Sequence, residues 1–226
     1  MWTALLSKEL RECGIFAGLA LLAQMQLLGS GMDLPLIPLV STGRGTEIPL
    51  LAKRAFDVMS DREIVFITIA IISAIVIGLN QTLMESWRQT SLFLLHRPMP
   101  RSQIFLGKLA AGGLILLVTS ALPLLIYCLW AATPGTHASP FFWSMTEPWW
   151  RSVVVAFACY LGAFLTGIRP ANWIGSRTWP LFAVVTMGLG LKLFPIWTPM
   201  VYVSSIALIA SLVISILGTA RLREYP

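Results

Sequence analysis

The sequence predicts an all-α integral membrane protein with six transmembrane helices, preceded by an N-terminal amphipathic helix that lies in the membrane interface. Of its 226 residues, 57% are hydrophobic and 12% are charged, whereas about 25% are charged in a soluble domain. Long apolar runs recur along the chain, and each crossing of a bilayer core of about 30 Å needs about 20 apolar residues. We therefore expect a single transmembrane domain over residues 1–226.

The predicted elements follow from hydrophobic periodicity. In residues 1–13, apolar side chains recur at helical spacing with charged side chains largely on the other side, which favours an interfacial helix. The predicted spans lie at about 14–30, 64–82, 103–132, 152–168, 178–194 and 198–219. Pro123 is expected to kink the third span. The polar section 31–62 is predicted to be an extracytoplasmic loop with a second surface helix at 47–60.

Basic residues set the expected orientation. With the N-terminus inside, ten of the sixteen lysines and arginines fall in inner segments and five in outer ones. By the positive-inside rule, both termini are expected to be cytoplasmic. The N-terminal stretch lacks a convincing A-x-A site and is expected to remain in the mature protein, with cleavage near 29–32 as the alternative.

Chemical motifs are missing from the sequence. Cys13, Cys128 and Cys159 lie far apart without paired spacing, so we interpret them as small core side chains. No hydrolase or metalloprotease motif and no phosphate-binding loop occurs, so we expect no enzyme activity, no metal and no bound cofactor. The charges lie in short gaps between apolar runs rather than in a basic patch, which excludes nucleic acid as a partner.

Small and polar residues within the spans predict helix contacts. Small residues recur every fourth position in the last span, where they allow close helix packing within the chain or across a dimer. These helix-packing candidates are Ala207, Ser211, Ser215 and Thr219. Six polar residues either face a translocation path or form interhelical hydrogen bonds: Gln24, Gln26, Thr119, Ser120, Ser204 and Ser205. Lys192 either extends to the outer interface or contacts cargo.

The segment 82–102 predicts a cytoplasmic helix followed by a proline turn. Pro98 ends this helix because proline lacks an N–H and disfavours helix in the residue before it. The apolar run Leu92–Leu95 would face water, and an exposed apolar helix usually has a partner. An ordinary basic inner loop is the alternative.

This segment resembles the loop between the second and third spans of ABC-2 type transporter membrane subunits. Those loops typically contain Glu, Gly-Thr, Leu-Leu, Pro, a small residue with Arg, an aliphatic residue and Gly-Lys. The matching positions here are Glu85, Gln89-Thr90, Leu94-Leu95, Pro98, Pro100-Arg101, Ile104 and Gly107-Lys108. Gln89 and Pro100 depart from the pattern. The N-terminal LLSKELRE, residues 5–12, resembles the interfacial elbow helix of such subunits, with Lys8, Glu9, Leu10 and Arg11.

The resemblance implies a permease subunit of an ATP-driven exporter in a bacterial-type inner (plasma) membrane. Its partners would be the lipid bilayer, a second permease subunit, identical or related, and separate ABC-type ATP-binding subunits that hold ATP and Mg. Residues 82–102 would form the coupling helix and turn. The implied ATPase-coupling residues are Glu85, Arg88, Thr90, Phe93, Leu94, Leu95, Arg97, Pro98, Arg101, Gly107 and Lys108. A non-transporting scaffold that binds a cytoplasmic partner through 82–102 and an intramembrane enzyme are the alternatives.

Overall fold

The all-α fold class is confirmed by the computed structural model, which describes residues 2–29, 55–87, 101–133, 141–169, 174–193 and 198–222. The α-helices are α1 (Trp2–Gly29), α2 (Ala55–Trp87), α3 (Arg101–Leu116), α4 (Leu122–Ala132), α5 (Glu147–Ile168), α6 (Ile174–Leu193) and α7 (Thr198–Leu222). A π-helix, Leu117–Ala121, joins α3 to α4, and a 3-10 helix, Trp143–Thr146, precedes α5.

Five helical segments among the described residues are long and apolar enough to cross a membrane. They are Leu6–Gly29, Arg62–Leu83, Ser102–Ala132, Trp143–Ile168 and Met200–Thr219. These segments coincide with five of the six predicted spans. The remaining predicted span, 178–194, coincides with α6, which is not among the five.

Whether α6 crosses the bilayer decides the side of the C-terminus. Its 20 residues extend about 30 Å at about 1.5 Å per residue, which equals the thickness of a bilayer core. We predict that α6 crosses, so that both termini are cytoplasmic. Alkaline phosphatase fused after residue 226 should then be inactive, whereas a fusion after Thr133, on the predicted outer side, should be active. An active C-terminal fusion would contradict a sixth crossing.

Helix α5 is the centre of the bundle. From Val155 to Ile168 every residue except Phe157 is buried. Helix α2 packs directly against it, because a Cβ added at Gly78 would lie 2.8 Å from the carbonyl oxygen of Tyr160. On another side, a Cβ at Gly162 would lie 3.2 Å from Val184 of α6. The small residues of α5 therefore permit close packing within the chain.

The small residues of α7 do not pack within the described part of the chain. Ala207, Ser211 and Ser215 are exposed and Thr219 is half-buried. Larger side chains form the buried side of α7 instead, namely Val201, Leu212 and Ile216, together with Ser205. The exposed residues of the stripe thus have no packing partner among the described helices, and a contact elsewhere in the chain or across a dimer stays a prediction.

Several predicted boundaries change. The predicted interfacial helix 1–13 is the beginning of α1, which continues without a break to Gly29 because no proline interrupts it. Residues 55–62 of the predicted outer loop are the first turns of α2, since their charged side chains do not interrupt a helix. Helix α2 also extends to Trp87, so the predicted coupling helix does not begin separately at Thr82.

Part of the predicted coupling unit lies outside the described residues. Residues 88–100 belong to this part, and with them the predicted coupling residues Arg88, Thr90, Phe93, Leu94, Leu95, Arg97 and Pro98. Glu85 lies in the last turn of α2 and Arg101 in the first turn of α3, and only their backbone is described. The remainder of the outer section, 31–54, is also outside the description.

A π-helix lies directly before Pro123. Leu122 donates its backbone N–H to the carbonyl oxygen of Leu117, five residues earlier, instead of four. Proline cannot donate a backbone hydrogen bond and clashes with the carbonyl one turn before it. The wider turn therefore accompanies the proline at the place where the sequence predicts a kink.

Candidate functional site: a buried ion pair

A buried ion pair joins α1 to α3. Lys108 Nζ lies 3.0 Å from Glu9 Oε1, and the two side chains are 3% and 0% exposed. Other ion pairs, Lys8–Glu12 and Arg151–Glu147, link positions four residues apart on a single helix and are partly exposed. The Glu9–Lys108 pair instead connects residues 99 positions apart. It is therefore a tertiary contact between two spanning helices.

Hydrogen bonds extend this pair to α2 and α5. Lys108 Nζ also donates to the backbone oxygen of Gln81 at 3.4 Å, and Gln81 Nε2 donates to the backbone oxygen of Lys108 at 3.3 Å. The Tyr160 hydroxyl donates to Gln81 Oε1 at 2.8 Å. We call Glu9, Gln81, Lys108 and Tyr160 the four-helix network, because each member comes from a different helix.

Close backbone approaches position the four-helix network. A Cβ added at Gly112 would collide with the ring and hydroxyl of Tyr160, so glycine at this position lets α3 lie against that side chain. On the other side, Asn80 Nδ2 donates to the backbone oxygen of Glu12 at 3.4 Å. This bond holds α1 beside α2 within one turn of Glu9.

The four-helix network lies near the helix ends, Trp87 and Arg101, that border residues 88–100 of the predicted coupling segment. Lys108 is seven residues after Arg101, the first residue of α3, and Gln81 is six residues before Trp87, the last residue of α2. At about 1.5 Å per residue, each group lies about 10 Å from its helix end. A displacement of residues 88–100 would act on helix ends that lie within two helical turns of Gln81 and Lys108.

The structure corrects the expected environment of Glu9. It was expected on the charged side of an interfacial helix but is buried, and so is its partner Lys108. Their neighbour Leu10 is 40% exposed instead. A charge facing lipid is costly, and for Glu9 this cost is avoided because its carboxylate points inward and pairs with Lys108. Arg11 is exposed and Lys8 half-buried, while Gly107 is buried beside Lys108.

Tyr160 and Gln81 were not predicted as site residues. Gln81 gives a signal in the sequence, since it is an amide near the inner end of a predicted span, at a depth similar to that of Lys108. Tyr160 gives no such signal, because a tyrosine in an apolar run is equally consistent with ordinary packing. Its role depends on the rotation of α5, which places the hydroxyl toward α2 and α3.

Most of the other predicted polar residues have structural partners. Gln24 Nε2 donates to the backbone oxygen of Phe66 on α2 at 3.3 Å, which supports an interhelical role. Thr119, Ser204 and Ser205 donate to carbonyl groups of their own helices. Ser120 has no such bond among the described residues.

Two arginines form hydrogen bonds at the ends of the connection between α5 and α6. Arg177 donates to the backbone oxygens of Thr166 and Gly167 at 3.3 and 3.2 Å, in the last turn of α5. A cation at this position binds carbonyl groups that lack partners in the helix and is favoured by the helix dipole. Arg169 Nη1 donates to the backbone oxygen of Ser176 at 3.4 Å. Hydrogen bonds from these two arginines therefore link the end of α5 to the start of α6.

The described residues contain no group of three or more His, Cys, Asp or Glu side chains that could hold a metal ion. Cys13, Cys128 and Cys159 are free and buried, as the interpretation of small core side chains requires. Comparison with known proteins gives no family to which the chain can be assigned: no protein-family model matches it, and neither a curated protein nor a solved structure is similar to it.

Proposed function

We propose that this chain is a permease subunit of an ATP-driven ABC-2 type transporter, an exporter in which two permease subunits work with separate ATP-binding subunits. One observation carries the proposal. The two segments that resemble the family, 5–12 and 85–108, supply the two ends of the buried Glu9–Lys108 pair. The sequence singles out these two segments separately, and their direct contact supports a shared mechanical role.

The proposed mechanism transmits movement from the ATP-binding subunits to the membrane helices. Shifting a two-state population from 1:99 to 99:1 takes about 5.5 kcal/mol of differential binding. The segment 88–100 would receive this energy, and α2 and α3 on either side of it would carry it into the bilayer. A flexible joint would dissipate the movement, whereas the four-helix network ties both helices to α1 and α5. ATP and Mg would be bound by the partner subunits.

Photocrosslinking in intact cells tests the proposed partner. We expect that benzoylphenylalanine in place of Phe93, which preserves an aromatic side chain, crosslinks to an ATP-binding protein identified by mass spectrometry. The matched control is the same replacement at Leu39, in the predicted outer section, which should not crosslink to that protein. Crosslinking of position 93 to a different cytoplasmic protein would favour the scaffold alternative. Equal crosslinking of both positions to the ATP-binding protein would contradict the predicted sidedness.

A further inference from the structure

Helix α1 is attached to the bundle mostly by polar contacts. The buried side chains among its described residues are Glu9, Cys13, Ala20, Gln24 and Leu28. Two of these five are polar, and each bonds to another helix: Glu9 to Lys108 of α3, and Gln24 to the backbone of α2. In a bilayer, apolar side chains have little preference for a helix over lipid, so hydrogen bonds and close packing hold helices together. The polar contacts of α1 therefore contribute strongly to its attachment.

Close packing is found around α5 and not at the glycines of α1. A Cβ added at Gly78 of α2 would lie 2.8 Å from a carbonyl oxygen of α5, and one at Gly188 of α6 would lie 2.7 Å from a valine of α5. A Cβ at Gly113 of α3 would lie 3.2 Å from an aromatic ring of α5. By contrast, a Cβ at Gly14 or Gly18 of α1 has no atom within 4 Å in the described structure. Helices α2, α3, α5 and α6 therefore form a closely packed unit against which α1 lies less tightly.

An apolar cavity of about 200 Å³ lies between α1 and the helical segment formed by α3 and the π-helix. Residues that line it include Leu10, Gly18 and Leu21 on α1 and Leu114, Ile115 and Thr119 on the other side. Glu9 directly precedes Leu10, and Lys108 lies six residues before Leu114. The Glu9–Lys108 pair thus lies between the cavity and the N-terminal ends of α1 and α3.

Both charges lie close to the ends of their membrane-spanning segments. Glu9 is three residues after the start of Leu6–Gly29, and Lys108 is six residues after the start of Ser102–Ala132. At about 1.5 Å per residue, these separations are about 5 and 9 Å. A long lysine side chain near a helix end can extend its charged group to the interface, so the two charges can reach water if the helices separate at this end.

The other bonds of α1 differ between its two ends. Asn80 Nδ2 donates to the backbone oxygen of Glu12 at 3.4 Å and to Cys13 Sγ at 3.6 Å, and the first of these is long for a hydrogen bond to oxygen. Near the other end, Gln24 donates to the backbone oxygen of Phe66 at 3.3 Å and is fully buried. Its uncharged amide lies far from both helix N-termini, so this bond can remain when the N-terminal half of α1 moves.

We propose that the Glu9–Lys108 pair is a releasable latch. When the latch opens, the N-terminal half of α1 swings away from α3 about the contact between Gln24 and Phe66. The cavity between the two helices then opens toward their N-terminal ends, while α2, α3, α5 and α6 keep their packing. The movement belongs to this chain and does not depend on the identity of its cytoplasmic partner.

Pulsed electron paramagnetic resonance on the purified full-length protein in lipid nanodiscs tests the latch. Spin labels on cysteines that replace the exposed Arg11 and Gln103 report the distance between the N-terminal ends of α1 and α3. Labels at Gln103 and the exposed Thr178 report a control distance between α3 and α6. The native cysteines are buried and stay in place, and a sample without introduced cysteines measures background labelling.

The decisive variant is Glu9→Leu/Lys108→Met, which removes both charges and leaves neither unpaired. A longer distance between positions 11 and 103, populated to about 10% or less in the unmodified chain, should become the main one in this variant. The control distance between positions 103 and 178 should not change. If the double variant does not fold, Glu9→Gln replaces it, because glutamine keeps the shape of the side chain without its charge, and the same shift is expected.

A third pair of labels tests the position of the pivot. Leu22 of α1 and Ile126 of α4 are exposed, and their distance should stay the same because they lie near the contact between Gln24 and Phe66. An unchanged single distance between positions 11 and 103 in the double variant would overturn the latch. An equal lengthening of all three distances would also overturn it, since the whole bundle would then have loosened.

Discussion

Lys108→Met is expected to lower the free energy of unfolding by about 3–5 kcal/mol, because removing one member of a buried ion pair leaves the other charge without compensation. Methionine keeps most of the length and volume of lysine, so the loss reports the charge of the ammonium group rather than a cavity. Glu9 is fully buried and cannot regain water without moving α1. Reversible unfolding in mixed detergent micelles measures the change.

Two control variants separate pairing from other effects. The double variant Glu9→Leu/Lys108→Met should recover most of the lost stability, since replacing both members of a buried pair by apolar residues is often nearly neutral. Lys8→Met affects a partly exposed pair on one helix, which is worth about 0.3–0.5 kcal/mol. The pairing account is wrong if Lys108→Met is as mild as Lys8→Met.

Gly78→Leu is expected to destabilise the bundle by about 3 kcal/mol or more, the upper range for overpacking. A Cβ at this position would lie 2.8 Å from the carbonyl oxygen of Tyr160 and 3.1 Å from the backbone nitrogen of Phe164. These are backbone atoms of α5, so they can give way only if α2 separates from it. Because Tyr160 belongs to the four-helix network, the same change should disturb its bond to Gln81.

Gly14→Leu on α1 provides the matched control for this prediction. A Cβ at Gly14 has no atom within 4 Å in the described structure, so leucine can be accommodated there. Thermal unfolding followed by size-exclusion chromatography compares the two variants. Equal losses at both glycines would contradict the contact between α2 and α5 as the cause, because leucine favours a helix more than glycine does.

The sequence predicts the apolar helices well because each span must by itself be long and apolar enough to cross the bilayer core. The predicted span 103–132 and the observed segment Ser102–Ala132 differ by one residue at the start. The same rule works less well at helix ends, where polar residues do not have to end a helix. Residues 55–60 were therefore assigned to a surface helix separate from the span at 64–82, although both belong to α2.

The candidate site could be predicted only in part, because it depends on how the helices are rotated. Resemblance selected Glu9 and Lys108 separately, yet amphipathic spacing does not tell whether a charged face meets water or the interior of a bundle. Their pairing requires α1 and α3 to be neighbours with these residues facing each other. Tyr160 likewise resembles other aromatic residues of the spans, and only the rotation of α5 brings its hydroxyl to Gln81.

The central claim is that this chain serves an ATP-binding motor, and affinity purification from its native membrane in mild detergent tests it most directly. Partner identity and ATPase activity are measured in the same sample. The account predicts recovery of an ATP-binding subunit that is lost in Leu94→Asp/Leu95→Asp and kept in Leu36→Asp/Leu39→Asp, the matched change in the predicted outer section. Recovery of the intact, folded chain without any ATP-binding protein would contradict it.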